Sequence, residues 1–514
     1  PTRRALGAAL LLALALPSVA RAQELPFETF AQFTDSLTAV ATIPDPDERE
    51  AAVDALWDAL VAAERVPFAL GDSAAFLWRG PASTVQVAGD HTSWNPSGHG
   101  LQPVGLSDVW LRTYRFPAAA RIDYKLVVNG TWILDPNNPH QQWSGFGPNS
   151  ELRMPEWVFP EETVRDPNVP QGAFSGPLTI ESDHLPYPVG YRVYTPPGYD
   201  AEQLADLPTV YVTDGHEYAD DRLGAFRIVL DNLIADGRAA PAVVVFVDPR
   251  AVGDPGNNRR FEQYVQNPDF AAFVAEELVA HVDATYRTRP ERDARTILGT
   301  SLGGLFSAYL GVLHPDVFGH LAIQSPAFWV SENPQYWDGP SIYEMVAGAE
   351  DGAFDVYMST GTINDTQAGA QQMRTVFEAH GHDLTYREVP EGHSWGNWRA
   401  LLDEVLIALV PGPAATDAEA APPADATGLR LAPAPNPARG GTTLRFRLAA
   451  PARVGLACYD LRGRAVLQPL DAAPLPAGPH AVALAAADFG AAGTYACRLT
   501  AGDAAATALV TLLR

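Results

Sequence analysis

The spacing of apolar positions changes along the chain, and each change marks a different kind of element. Residues 27 to 66 place apolar side chains at helical intervals, as in Glu48-Arg-Glu-Ala-Ala-Val-Asp-Ala-Leu-Trp57-Asp-Ala-Leu60, and predict two amphipathic helices. From about residue 71 the period shortens to two. Runs at Phe76 to Trp78, Ser83 to Val87, Val109 to Phe116, Ile122 to Val128 and Thr131 to Ile133 are separated by turn residues, among them Asn129-Gly130, a pair suited to a tight hairpin. This pattern predicts a helical segment over 23–70, followed by an immunoglobulin-like β-sandwich over 71–160.

Over 161–410 the pattern alternates. Pro208 to Thr213, Arg295 to Thr300, Phe354 to Thr360 and Leu384 to Val389 read as short strands, while Leu302 to Leu313 and Trp398 to Leu409 carry helical spacing, which together predict an α/β domain. Residues 411–427 are rich in Pro, Ala, Asp and Glu with no apolar period, and read as a linker. Beyond it, over 428–514, strand-like runs joined by tight turns return, including Thr442 to Leu448 and Val454 to Cys458. At the other end, Pro1-Thr-Arg-Arg4, the apolar run Ala5 to Pro17 and Ala20-Arg-Ala22 follow one another as basic, apolar and small-x-small segments do in a secretory signal peptide, here expected over 1–22. That run is short for a bilayer span, and no later segment is longer, so the mature chain is expected to be exported and soluble.

Composition narrows the partners. The chain of 514 residues carries 61 acidic and 35 basic side chains, a formal charge of −26, with Lys125 its single lysine. Such a surface repels nucleic acid. A hydrophobic fraction of 47% excludes a disordered chain and leaves room for several cores. No His/Cys spacing suits zinc and no glycine loop precedes a lysine, so neither a metal nor another cofactor is expected.

The candidate chemistry begins at Arg295-Thr-Ile-Leu-Gly-Thr-Ser301-Leu-Gly-Gly-Leu, an apolar strand that runs through Gly-x-Ser-x-Gly into a helix. Small residues on both sides of Ser301 permit a sharp turn from which the hydroxyl projects, the arrangement of a nucleophile; the plainer alternative is a helix-capping serine. His393, in the loop Pro390-Glu-Gly-His393-Ser-Trp-Gly, is the candidate base, and Asp365, just past the strand Phe354 to Thr360, the candidate acid. Asp355, Asp383 and Glu391 compete for that last role, and the order serine, acid, histidine is the α/β-hydrolase order. The backbone N–H of Leu302, with that of Gly215 or His216 after the strand Pro208 to Thr213, is expected to form an oxyanion hole.

Further segments carry a resemblance. Tyr191-Arg-Val-Tyr-Thr-Pro-Pro-Gly-Tyr199, Val210-Tyr-Val-Thr-Asp-Gly215, Asn258-Arg-Arg-Phe-Glu-Gln-Tyr264, the Ser301 turn, Gln324-Ser-Pro-Ala-Phe-Trp329 and Gly392-His-Ser-Trp395 are similar to the esterase D and enterochelin esterase family, which includes feruloyl and acetyl-xylan esterases. The resemblance spans about Gly190 to Val410. It implies an α/β-hydrolase with Ser301, His393 and Asp365 as its triad, and substrate contacts are expected from Arg259, Arg260, Trp329 and Trp395. Val87-Ala-Gly-Asp90-His-Thr-Ser-Trp94-Asn-Pro96 and Tyr124 to Gly130 resemble early-set domains related to glycogen-binding modules, where Trp94, Trp132 and Trp143 would either stack on sugars or pack internally. Ala434-Pro-Asn436-Pro437, Val454 to Arg464, Leu475-Pro-Ala-Gly478 and Ala492-Gly-Thr-Tyr495 resemble the C-terminal β-sandwich sorting domains of the type IX secretion system, which implies an export machinery as partner. Cys458 and Cys497 fall there, as a cross-strand disulfide or as two buried thiols.

The expectation is therefore an exported serine esterase acting on feruloyl- or acetyl-type esters of carbohydrate. The siderophore triester is the alternative substrate, and the contrasting class is a non-catalytic carbohydrate-binding surface protein, which would have lost at least one of the three side chains.

Overall fold

The computed structural model describes residues 25–412, apart from 26, 202 and 203, and in the C-terminal region 431–434, 441–448, 452–459, 464–475, 478–489, 493–502 and 504–512. The expected signal peptide lies outside the described residues, as does the expected linker except for Pro411 and Gly412. The chain divides into two compact units, one of Pro1–Gln142 with Gly147–Val158 and the other of Trp143–Phe146 with Phe159–Arg514.

In the first unit the helices Phe30–Ala41 and Pro46–Ala62 start where side chains satisfy their free amides. Thr29 and Gln32 form a reciprocal capping box, and the Asp45 carboxylate accepts from the amides of Asp47 and Glu48. Their apolar stripes, Phe33, Leu37, Val53, Trp57 and Leu60, are buried in one cluster with Phe68, Leu77 and Val109. One antiparallel sheet has the order Phe68–Leu70, Ser73–Arg79, Val109–Arg115, Gln102–Pro103; a second contains Val85–Gly89, Arg121–Val128, Thr131–Ile133 and Gly147–Arg153. The rings of Phe76 and Tyr124, one from each sheet, meet edge-on at 4.8 Å. Trp94 donates its indole N–H to Asp90 at 3.2 Å, and Trp132 is 45% exposed.

The second unit is built on a nine-stranded sheet. Its main path runs Ala173–Phe174, Val189–Thr195, Val243–Asp248, Thr209–Val212, Arg295–Thr300, His320–Gln324, Asp355–Gly361 and Asp383–Val389. From Val243–Asp248 onward every pairing is parallel, whereas Val189–Thr195 runs antiparallel at one edge. A parallel strand covered on both faces is apolar throughout, and Val243 to Val247 and Ile297 to Thr300 are buried without interruption. Two cores result: Phe306, Leu310, Phe328 and Met358 belong to one, and Phe226, Phe246, Trp395 and Leu406 to the other. The helix expected over Trp398 to Leu409 is instead two, Trp395–Ala400 and Leu402–Leu409, broken at Leu401. Trp143 packs against the second of these cores beneath the Arg222 guanidinium, 4.4 Å from the ring centre.

The C-terminal strands form two sheets, Ala432–Ala434, Gly441–Leu448, Gly478–Ala485 and Ala465–Leu475, Ala452–Tyr459, Gly493–Ala501, Ala504–Leu512. Cys458 lies directly opposite Cys497 and is joined to it by a disulfide, within a core of Leu444, Phe446, Val454, Leu456 and Leu499. Among the described residues no helix is long and apolar enough to cross a membrane.

Candidate active site

The parallel strands all end on one side of the sheet, and the loops that leave them collect the polar side chains singled out above. Ser301 sits between the strand Arg295–Thr300 and the helix Leu302–Leu313 at φ 59° and ψ −117°, a backbone conformation disfavoured for any residue with a Cβ. Its amide donates to the Gln324 carbonyl and its carbonyl accepts from the Ala327 amide, each at 2.9 Å, and from the Leu305 amide at 3.1 Å. The flanking glycines are required by contact. A Cβ on Gly299 would run into the carbonyl of Gly303, and one on Gly303 into the Thr213 hydroxyl.

His393 reaches this turn from the loop after Asp383–Val389. Its Nε2 is 3.0 Å from the Ser301 hydroxyl and its Nδ1 is 2.6 Å from Asp365 Oδ1. The Asp365 side chain is fully buried, and other donors hold it besides His393: the Thr366 amide donates to Oδ1 at 2.7 Å, while the Gly361 amide and the Ser325 hydroxyl donate to Oδ2 at 2.6 Å. Burial alone would raise its pKa, but the bonds from His393, Ser325 and Gly361 hold it below the ordinary carboxylate value. The Trp398 indole N–H donates to Ser325 at 2.9 Å, and the same ring meets His393 edge-on at 5.0 Å. Indole, hydroxyl, carboxylate, imidazole and serine thus form one chain of hydrogen bonds.

The competing acids lie elsewhere. Asp355 and Asp383 are paired residues at the first positions of their parallel strands, the end away from Ser301, both exposed, and Asp355 meets His320 instead. Glu391 is buried beside Gly361, and its carbonyl, not its carboxylate, accepts from Ile363.

The amides of Leu302, Gly215 and His216 begin the helices Leu302–Leu313 and Gly215–Tyr218, and among the described residues none of the three donates to another backbone or side-chain group. The Asp214-Gly215 turn is tight: Asp214 has φ 50°, and a Cβ on Gly215 would enter the backbone of Phe246 and Val247. The neighbouring Glu217 carboxyl is pushed up to about 7 by burial and by the nearby charge of Asp214.

The residues expected to meet substrate divide. Trp329 is 55% exposed and joins Tyr336 and Phe261 in an open aromatic patch, with ring centres 5.9 Å and 5.4 Å apart. Trp395 is 3% exposed and packs against Tyr218 and Trp398, so it is a core residue. Arg259 stacks on Tyr187 at 3.9 Å and lies 3.6 Å from Glu262, and Arg260 pairs with Asp214 at 2.8 Å, so each guanidinium already has an acidic partner within the protein. Ser325, Tyr336 and Phe261 are not among the residues the sequence singles out; Ser325 and Phe261 do lie within the esterase-like segments 324–329 and 258–264, whereas Tyr336 carries no such signal.

A mostly parallel sheet carrying Ser301 at a strand-to-helix turn, with Asp365 and His393 delivered by loops after later strands, defines the α/β-hydrolase class. Residues 182–409 match the family described as putative esterase, so this part of the chain is similar to carboxylic-ester hydrolases. The chain is 23% identical over 383 residues to the iron(III) enterobactin esterase of Escherichia coli, a match covering 65% of this chain and 90% of that one. It is 23% identical over 238 residues to an endo-1,4-beta-xylanase/feruloyl esterase of Xylanibacter ruminicola, covering 44% of this chain and 31% of that protein. The crystal structure of the Shigella flexneri enterobactin esterase shares the fold, with a TM-score of 0.54 and 22% identity over 66% of this chain and 92% of that one.

Proposed function

We propose that the protein is an exported serine carboxylic-ester hydrolase working through an acyl-enzyme. The observation that carries this reading is the unbroken contact from Ser301 through His393 to a buried, hydrogen-bonded Asp365. His393 takes the Ser301 proton as the hydroxyl attacks the ester carbonyl, and Asp365 holds the ring in the tautomer that leaves Nε2 free to accept. The negative charge on the former carbonyl oxygen is met by the amides of Leu302 and of Gly215 or His216. His393 then returns the proton to the leaving alcohol, and water repeats the sequence to release the acid.

Feruloyl- or acetyl-type esters of carbohydrate fit best. The exposed rings of Trp329, Tyr336 and Phe261 suit a planar acyl group, and the formal charge of −26 with both nearby arginines engaged disfavours an anionic catecholate. A siderophore triester remains the second reading, favoured by the longer alignment with enterobactin esterase. Export rests on the segment over 1–22 and on the resemblance of 428–514 to sorting domains. The test is a panel of p-nitrophenyl acetate, methyl ferulate, acetylated xylan and a catecholate siderophore triester, run with the wild type and Ser301→Ala. Activity lost in the variant supports the esterase, the preferred ester selects the branch, and a folded protein inert on every ester refutes the reading.

A further inference from the structure

Arg260 lies outside the chain of hydrogen bonds just described, yet it touches the two backbone segments on which any oxyanion site here depends. Its Nε donates to both oxygens of Asp214, at 2.8 and 3.0 Å, and its Nη2 donates to the carbonyl of Thr300 at 3.0 Å. Asp214 directly precedes Gly215 and His216. Thr300 directly precedes Ser301 and Leu302. The Asp214 carboxylate is 1% exposed, and the Asp214 amide donates at 2.9 Å to the hydroxyl of Tyr264, which lies on the same short helix, Arg260–Tyr264, as the arginine. The two loops come from neighbouring parallel strands, Thr209–Val212 and Arg295–Thr300. Both turn at disfavoured backbone angles, with φ 50° at Asp214 and 59° at Ser301. Such conformations persist only where surrounding contacts over-determine them.

We propose that Arg260 is a positioning residue that sets the separation of the Leu302 amide from the Gly215 and His216 amides by holding Asp214 and the Thr300 carbonyl at once. This rests on the esterase reading, since the separation matters only if both sets of amides meet one developing oxyanion. A guanidinium is suited to the task because its planar fork presents donors in two fixed directions, whereas a lysine would supply the charge at a single point. The contact also reassigns Arg260 from substrate recognition to the alignment of the backbone.

The experiment compares the full chain carrying Arg260→Lys or Arg260→Met with the wild type on p-nitrophenyl acetate, counting competent sites by stoichiometric reaction of Ser301 with a fluorophosphonate. Loss of one oxyanion donor costs about 100- to 1,000-fold in kcat, so a displaced one is expected to cost about 10-fold in Arg260→Lys and about 100-fold in Arg260→Met, per titrated site, with KM changed by less than about threefold. The pH at which the rate is half-maximal stays in place, because the His393–Asp365 contact is untouched. Asp214→Asn is expected to lower kcat similarly, and the double variant to be little worse than either single one. A raised KM with kcat intact would return Arg260 to substrate binding, and an unchanged kcat per titrated site would reduce it to a structural ion pair. If Arg260→Met fails to fold, Arg260→Lys decides alone. Failure of the esterase reading shows separately, as a wild type that neither turns over the ester nor reacts with the fluorophosphonate.

Discussion

Each unit of this protein buries a group of charged side chains, and the two groups end differently. In the first unit Arg121, Asp123 and Glu151 are at most 4% exposed; Arg121 pairs with both acids, and Arg153 reaches Glu151 from the rim at 2.6 Å. Asp90 next to them is pushed up to about 8 by burial and by the charge of Asp123, while Arg121 and Arg153 hold Glu151 below its ordinary value despite its burial. In the second unit the Asp365 side chain is as deeply buried and is likewise held below its ordinary value, but the last member of its chain, His393, is 36% exposed. The first group closes on itself and ties the strand Arg121–Val128 to Gly147–Arg153. The second opens onto a strained serine. Buried charge marks a working site only where it leads to a group that substrate can reach.

The largest effects should come from the open end. Ser301→Ala and His393→Ala are each expected to lower kcat on p-nitrophenyl acetate by about 10⁴-fold or more, with the melting temperature nearly unchanged. Asp365→Asn is expected to cost about 10³- to 10⁴-fold, because the amide favours the wrong tautomer, while Asp383→Asn should stay within about twofold; reversed ordering in steady-state rates would move the acid to Asp383. The closed cluster should respond in stability instead. Arg121→Met strands Asp123 and Glu151 and is expected to destabilise the protein by about 3–5 kcal/mol in urea titration; a change of less than about 1 kcal/mol would dissolve the contrast.

The smallest effect sharpens the comparison by pH. Glu217 ionises near 4.5 when unfolded and near 7 when folded, so the folded state holds its proton more tightly and loses stability as pH rises from 4.5 through 7. Glu217→Gln removes that penalty. A gain of about 3 kcal/mol at pH 8, with none at pH 4, is expected from denaturant titration; an equal gain at both pH values would show that packing, not ionisation, is responsible.

How much of this was legible in the sequence depended on distance along the chain. The Ser301 turn was readable because its requirements are local: a strand, small neighbours and a helix within a few residues of one another. Asp365 was readable as the end of an apolar run, a signal that also separates it from Asp355 at the start of that run. The role of Arg260 was not, since its partners Asp214 and Thr300 are 46 and 40 residues away and nothing in a local pattern joins them. Trp395 was misread for a related reason: beside His393 in sequence it resembles a rim residue, but the helix Trp395–Ala400 turns it into the core against Tyr218. For Cys458 and Cys497, alternation fixes which face each occupies but not the register, so the sequence allows both a disulfide and free thiols; the register sets them opposite one another.

The most direct test of the central claim is to trap the acyl-enzyme. After rapid acid quench of the protein turning over p-nitrophenyl acetate, peptide mass mapping should find one acetyl group, on the peptide containing Ser301, and none in Ser301→Ala. Undiminished hydrolysis by Ser301→Ala, or an acetyl group carried on a different residue during turnover, would contradict the account.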